Sequence, residues 1–312
     1  MKKIILAAAS LLALANLNAQ NIEYKITKNN PEDYHPKLSV NAVLAGVDMS
    51  FNNIDAMNFY AAAFGHFMVQ DRIGIQFNAQ TSWLALGKLS SKDQVSPKEL
   101  NIGGMYFLNR KVKSKKLKVD LKRSTSQVNN KTVETTTFIM VPANVVKYNG
   151  VRGGVYTKNT AFNLDNNDAF DKVNLDAASM LNTGVYAGII SRRLSNVIVD
   201  ATGYGKRFHS LGFDFYADVL VQFSNTFTLR EEPSGIFKTQ TGYNNGQDIT
   251  TDVKNIFGNQ TMGFRLGVNG FQIAPKEDTG KKFGMCYNFE AGMMPYVGYY
   301  LKGGIGITLF KK

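Results

Sequence analysis

The chain has 312 residues, with 36 Lys and Arg against 24 Asp and Glu for a formal net charge of +12, and it carries 12% aromatic residues, 28 glycines and only 7 prolines. That composition fits a Gly- and Tyr-rich β-protein better than a helical one, and no long capped helical run is present. A single cysteine, Cys286, excludes a disulfide within the chain, and no P-loop, dinucleotide fingerprint or zinc spacing occurs, so no cofactor is expected.

Met1, Lys2 and Lys3 form a short basic start, Ile4 to Ala15 is apolar apart from Ser10, and Ala19 supplies a small residue before Gln20. This pattern predicts a signal peptide over residues 1–19, cleaved before Gln20. The apolar run is shorter than the roughly 20 residues a membrane-crossing helix needs, and no other segment is longer. Cleavage removes two lysines and no acid, taking the charge from +12 to +10. In an exported chain a basic surplus points to acidic lipid headgroups or lipopolysaccharide rather than nucleic acid, for which no fold motif is found.

Residues 20–37 are polar, with a short alternation at Ile22, Tyr24 and Ile26, and are expected to form a periplasmic tail able to pair with a neighbour. From Leu38 onward the chain reads as strand-length segments of period two. Ile73, Ile75, Phe77, Ala79 and Trp83 alternate with Gly74, Gln76, Asn78, Gln80 and Ser82; Phe213, Phe215, Ala217, Val219, Val221 and Phe223 alternate with Asp214, Tyr216, Asp218 and Gln222. Twelve strands are expected, near 38–50, 57–69, 72–84, 99–108, 115–127, 131–141, 145–156, 181–193, 211–225, 260–271, 282–292 and 297–310, within a range of 10–14. Each is about 10 residues long, the length that crosses a bilayer at a tilt.

Short connections fall near Gln70 to Arg72, Asn109 to Lys115 and Pro142 to Asn144, and long polar ones at 87–98, 157–180 and 227–259. A first strand running up from the periplasm places all three long loops outside, as in outer-membrane barrels. The connections 194–210 and 272–282 then lie inside. The expected fold is all-β, a transmembrane antiparallel up-and-down barrel over 38–310. A soluble β-sandwich or lipocalin-like barrel also alternates, but apolar outward faces on nearly every strand and polar or glycine inward faces, rather than a dry core, favour the membrane form.

The final strand, Val297 to Phe310, has Val297, Tyr299, Leu301, Ile305, Ile307 and Leu309 on one face. Lys302, Gly304, Ile307 and Leu309 follow the order polar, glycine, hydrophobic, hydrophobic. This piece resembles the C-terminal assembly signal of Gram-negative outer-membrane β-barrel proteins, although Lys311 and Lys312 follow Phe310 where that class often ends on the aromatic. The resemblance covers about a dozen residues and matches no subfamily. It implies the barrel assembly machinery as a partner during insertion and the outer membrane, with its lipid and lipopolysaccharide, as the location.

Candidate chemistry is sparse. His35, His66 and His209 are the only histidines, all on the periplasmic side of this topology, and no Ser or Asp motif accompanies them, so no catalytic residue is assigned. Asp165, Asn167, Asp168 and Asp171 offer oxygens, but Ala169 breaks the calcium-loop spacing and no metal site is assigned. The basic run Arg110, Lys111, Lys113, Lys115, Lys116 and Lys118 could grip phosphates of lipid or lipopolysaccharide from an outer location, but this strand order puts it in the periplasm, where it reads as a solvated turn or a contact for an acidic partner. Cys286 points inward between polar neighbours.

The constellation that stands out is Asp218, Arg265, Glu290 and Lys302. All are inward by parity, on four consecutive strands, and their signs alternate. Such a set either braces a filled barrel or lines a narrow pore. The expectation is a non-enzymatic structural or accessory subunit, an anchor of an outer-membrane assembly, with protein partners at its tail or loops. A small passive diffusion pore is the alternative, and an outer-membrane hydrolase ranks third.

Overall fold

The computed structural model describes residues 22–31, 37–51, 56–86, 98–128, 131–162, 175–231, 237–239, 242–244, 247–249, 260–273 and 283–309. The predicted signal peptide, its cleavage point, His35 and the Asp165 to Asp171 cluster lie outside the described residues. Ten strands close an antiparallel barrel: β2 (Leu38–Phe51), β3 (Ala56–Met68), β4 (Ile73–Leu86), β5 (Lys98–Val128), β6 (Lys131–Phe162), β7 (Leu175–Ala201), β8 (Gly205–Glu231), β12 (Met262–Phe271), β13 (Phe283–Met294) and β14 (Gly298–Leu309). Each wall strand pairs with its predecessor in the wall, and β14 returns to β2, Lys302 opposite Asp48. The barrel is therefore up-and-down, as expected. Beside it, β1 (Tyr24–Lys28) pairs with β7, β9 (Phe237–Thr239) with β8, and β10 (Gly242–Asn244) with β11 (Gln247–Ile249).

Ten strands rather than twelve arise because two expected turns do not exist. Asn109 to Lys115 lies inside β5, and Pro142 to Asn144 lies inside β6. The lysine-rich stretch reads as a loop because β5 has left the apolar belt there and its outward residues become basic. Pro142 is tolerated because β6 has already parted from β7, whose pairing stops at Val145 opposite Ser195, so no second ladder is interrupted. The segments expected at 99–108 and 115–127 are one strand, as are 131–141 and 145–156. Removing strands in pairs preserves direction, so the relative placement of the remaining connections is unchanged. The turn at Val69–Arg72, the β5–β6 and β7–β8 turns and the β12–β13 connection share one end, called here the turn end; the long loops leave the opposite, loop end. Two of those loops are shorter than read: β6 and β7 stay paired to Phe162 opposite Ala178, and β8 runs to Glu231.

At the turn end, β5–β6 and β7–β8 continue beyond the wall as two long hairpins. The stretch 194–210 is the β7–β8 hairpin and adds no wall strand, with Asp200 opposite Lys206. The two hairpins pack face to face over a small core of Val119, Val141, Ala143, Val197 and Val199, against which Ile26 of β1 also packs. A bulge at Leu121 leaves its carbonyl off the β6 ladder, and Arg207 Nε of β8 donates to it at 2.8 Å. β1 wedges in where β6 and β7 separate: Tyr24 pairs with Ala201, and Asn29 Oδ1 accepts from the Asn144 amide at 2.8 Å. The segment expected to be a tail available to a neighbour is thus a strand of this extension. The last strand also begins one residue later than read, at Gly298, because Pro295 to Val297 is a tight turn in which the Val297 amide donates to the Pro295 carbonyl and Tyr296 adopts a φ of 62°.

The outer face carries an apolar belt. Every wall strand exposes at least one large hydrophobic residue, for example Leu44 at 61%, Trp83 at 60%, Ile189 at 65% and Met285 at 75% exposure. Period-two alternation sends the other residues inward, where strand glycines admit aromatic rings: Tyr60 lies over Gly46, and Tyr216 lies over Gly267, positions a Cβ would overlap.

Candidate functional site

The interior is layered. Nearer the turn end it is apolar, with Phe64, Met68, Met105, Phe107, Leu194 and Phe271 packed in one cluster that also contains Cys286. The expectation of a polar or glycine interior fails for this layer. These residues occupy inward parity, on regular stretches of β3 and β12 as well as on β5, which carries a bulge at Phe107/Asn109; alternation fixes which face a side chain takes and not whether the inner face is polar. The Cys286 Sγ faces the Ala42 carbonyl at 3.7 Å, within apolar rather than polar surroundings. Arg192 is the one guanidinium in this layer: Nε and Nη2 donate to the two oxygens of Asp214, each at 2.7 Å, with Met68 and Met105 sulfurs at 3.6 and 3.9 Å. His66 is buried with its ring centroid 5.7 Å from that of Phe271.

Above it lies a charged layer. Asp218, Arg265, Glu290 and Lys302 are all inside and buried. Asp218 sits directly opposite Arg265 across the β8–β12 ladder, and Arg265 Nε donates to Asp218 Oδ2 at 2.5 Å. Glu290 sits opposite Lys302, whose Nζ is 3.0 Å from Glu290 Oε1. The middle pair is not opposed: Arg265 faces Gly292 and Glu290 faces Gly267. The four therefore form two rungs rather than one alternating ring.

Residues from the far wall join the rungs. Glu99 of β5 accepts from Lys302 Nζ at 2.8 Å; Lys158 of β6 reaches Asp48 of β2 at 2.9 Å and Glu99 at 3.8 Å; Arg152 of β6 donates to Asp218 Oδ2 at 3.0 Å. Asn101 bridges the two halves, donating to Glu99 at 2.6 Å and accepting from Arg265 at 3.1 Å. Tyr216 and Tyr300 hydroxyls donate to Glu290 at 2.5 and 2.9 Å, and the Arg152 guanidinium lies 3.9 Å from the Tyr216 ring centre. Four carboxylates thus face four cations in one connected network drawn from seven wall strands. A cavity of about 40 Å³ lies within the charged layer, with Arg152, Arg265 and Glu290 in its lining, and a larger one of about 630 Å³ opens at the turn end beside Met68, Phe107 and Tyr148. The smaller has room for roughly three water molecules.

Asp48, Glu99, Arg152 and Lys158 were not singled out by the sequence, although each is a charge at an inward position of a strand; their partners come from across the lumen, which strand parity cannot pair. Lys302 and Gly304 of the expected assembly signal face inward, whereas Ile307 and Leu309 lie on the outer face. His209 is not inside the barrel but in the extension. No Ser or Asp motif marks it in the sequence, but Ser195 Oγ stands 3.3 Å from its Nε2, while Nδ1 meets the Lys118 carbonyl at 3.2 Å. The Ser195 hydroxyl is also 3.2 Å from the Leu211 carbonyl, and the third partner is a backbone oxygen rather than a carboxylate, so the pair ties hairpins together. Among the described residues no group of three or more His, Cys, Asp or Glu is arranged to hold a metal. Compared with known proteins, the chain matches no family model, and no curated protein is detectably similar to it.

Proposed function

We propose that this chain is an integral outer-membrane barrel, exported through a cleaved signal peptide, that serves as a non-enzymatic anchor or accessory subunit of an outer-membrane assembly. The membrane reading draws on the apolar belt. On β4 it runs from Ile73 to Trp83, both exposed, about 33 Å along the strand and about 25 Å once tilted, close to the height of the apolar band on outer-membrane barrels. A continuous exposed belt of this kind is foreign to a monomer in water.

The observation that carries the anchor reading over the pore is the occupied mid-lumen: four carboxylates and four cations paired across it and set on an apolar layer, with a cavity of about 40 Å³ beside them, although Asp48 Oδ1, Glu99 Oε2, Arg152 Nε, Asp218 Oδ1 and Arg265 Nη2 have no hydrogen-bond partner among the described residues. Charges already paired with one another across the lumen leave less for a passing solute. The hairpin extension with β1 supplies a folded surface at the turn end that, in the proposed orientation, faces the periplasm and is offered to protein partners.

Two measurements on the same preparation test this. Wild-type protein in planar bilayers is expected to conduct little, and extraction from membranes is expected to bring a protein partner with it, lost when the β5–β6 hairpin beyond Lys113 is removed. Steady wild-type conductance, with selectivity moving toward cations in Arg265→Ala, overturns the anchor and establishes the pore.

A further inference from the structure

On the outer wall at the turn end, three cations stand side by side. Lys111 of β5 is directly opposite Lys147 of β6, and Lys147 is directly opposite Arg193 of β7. All three are exposed, and among the described residues none has an ion-pair partner. Like charges directly across a ladder repel, so the row is costly unless something negative lies over it. Guarding an exposed strand edge with lysine explains Lys113 or Lys115 on β5. It does not explain Lys147 and Arg193, which lie on interior strands paired on both sides at these positions.

The row has a fixed place relative to the belt. One rung toward the loop end, Asn109, Asn149 and Ser191 form an uncharged outward chain, Asn149 donating to Asn109 at 2.9 Å and Ser191 to Asn149 at 3.0 Å. From that rung a groove of about 700 Å³ opens along the wall, with Ala217 and Ala291 beside the larger Val151, Ile189, Leu266 and Phe289. Phe213, the β8 partner of Arg193, and Tyr287, ring centroids 6.0 Å apart, mark the same level farther round the wall. Cations, then neutral hydrogen-bonding groups, then an apolar trough reproduce in order the phosphate, ester and acyl levels of a phospholipid.

We propose that Lys111, Lys147 and Arg193 form a binding site for an anionic phospholipid, whose phosphate lies over the three cations and whose acyl chain lies in the groove above them. The inference rests on the membrane reading and adds a defined lipid to it. In the topology proposed above the lipid belongs to the periplasmic leaflet.

The test uses the full chain reconstituted in vesicles of phosphatidylcholine with one part in five of phosphatidylglycerol, then transferred to detergent for native mass spectrometry with matched amounts of both lipids. Wild type is expected to retain one phosphatidylglycerol in preference to phosphatidylcholine, and excess inorganic phosphate is expected not to displace it. Changing Lys111, Lys147 and Arg193 together to Gln lowers that retention on the order of 100-fold, at about fivefold per neutralised charge. The same three changes at Lys115, Lys116 and Lys122, beyond the belt, leave it intact. Ala217→Trp, which fills the groove without touching a charge, also weakens it. Equal retention of the two lipids, equal loss in both triple variants, or displacement by phosphate overturns the site. Failure of the wild type to float with the vesicles instead overturns the membrane reading beneath it.

Discussion

One oxygen of Asp218 holds two guanidiniums: Oδ2 accepts from Arg265 Nε at 2.5 Å and from Arg152 Nη2 at 3.0 Å. Arg265 is its neighbour on the next strand, while Arg152 comes from β6, on the far side of β7. The side chain of Asp218 is fully inaccessible, so this carboxylate links wall segments that share no direct ladder.

Asp218→Asn keeps the shape and removes the charge. Two buried guanidiniums then lose their common counter-charge, and breaking such a set is expected to cost about 3–5 kcal/mol. Urea unfolding in lipid vesicles, followed by heat-modifiable mobility, checks this. A midpoint unchanged from wild type would mean the network does not brace the barrel.

The Arg192–Asp214 pair gives a sharper comparison, because it lies among Phe107, Phe271, Met68 and Met105 rather than within the larger network. Removing one member, as in Asp214→Leu, strands the other charge and is expected to cost about 3–5 kcal/mol; changing Arg192→Met as well is expected to recover most of that loss. Double-mutant unfolding curves decide it. A double variant no more stable than the worse single one would show that the pair itself, not the avoidance of a lone charge, matters.

His209 makes the extension sensitive to acid. Burial lowers the affinity of its ring for a proton from the ordinary value near 6.5, and the Lys118 carbonyl and Asp120 oppose this less strongly. A neutral ring donates from Nδ1 to the Lys118 carbonyl, while Nε2 stands 3.3 Å from the Ser195 hydroxyl, which donates to the Leu211 carbonyl. With the folded pKa below the unfolded one, the unfolded form binds more protons in acid. The stabilisation is full above about pH 6.5 and is lost as the pH falls through the lowered folded value. Limited proteolysis of the β5–β6 hairpin is expected to accelerate from pH 7.5 to pH 5, after correction for protease activity. His209→Gln should flatten that dependence, and equal acceleration in both proteins would assign it to another group.

Closure depends on β14, which hydrogen-bonds to β13 on one side and β2 on the other. Ile307 and Leu309 face outward near its end, and Leu309 is 39% exposed. Changing both to Asp puts two charges on the apolar face of the closing strand, and the chain is expected to miss insertion and be degraded. Wild-type levels of heat-modifiable protein in the membrane fraction would show that closure tolerates a charged seam.

Locating Arg207 and the Leu121 bulge gives a final check on the extension. Arg207→Ala removes the guanidinium that donates to that carbonyl. It is expected to loosen the two hairpins by about 1.5–3 kcal/mol, the scale of a hydrogen bond from a charged group. Hydrogen exchange at residues 117–123 is expected to rise while the wall strands stay protected; uniform exchange changes across both would mean the extension and barrel unfold as one.

Much of the wall was legible in the chain itself. Period-two alternation with apolar outward faces marks β4, β8, β12, β13 and β14, because side chains on a strand must alternate and one face here carries the exposed apolar belt. The same parity puts Asp218, Arg265, Glu290 and Lys302 on the inner face, since the residues beside each face outward and all but Gly303 are hydrophobic. What alternation does not carry is how far a strand continues once its outer face turns polar, and so β5 and β6 each read as two strands broken by lysines or Pro142. Nor does it pair residues across a lumen. Glu99 with Lys302, Lys158 with Asp48 and Arg152 with Asp218 meet only because ten strands close and bring distant walls within a few ångströms. The apolar layer of Phe107 and Phe271 and the row Lys111, Lys147 and Arg193 likewise exist only in the closed, registered sheet, because local sequence specifies which face a side chain takes while register and closure specify its neighbours.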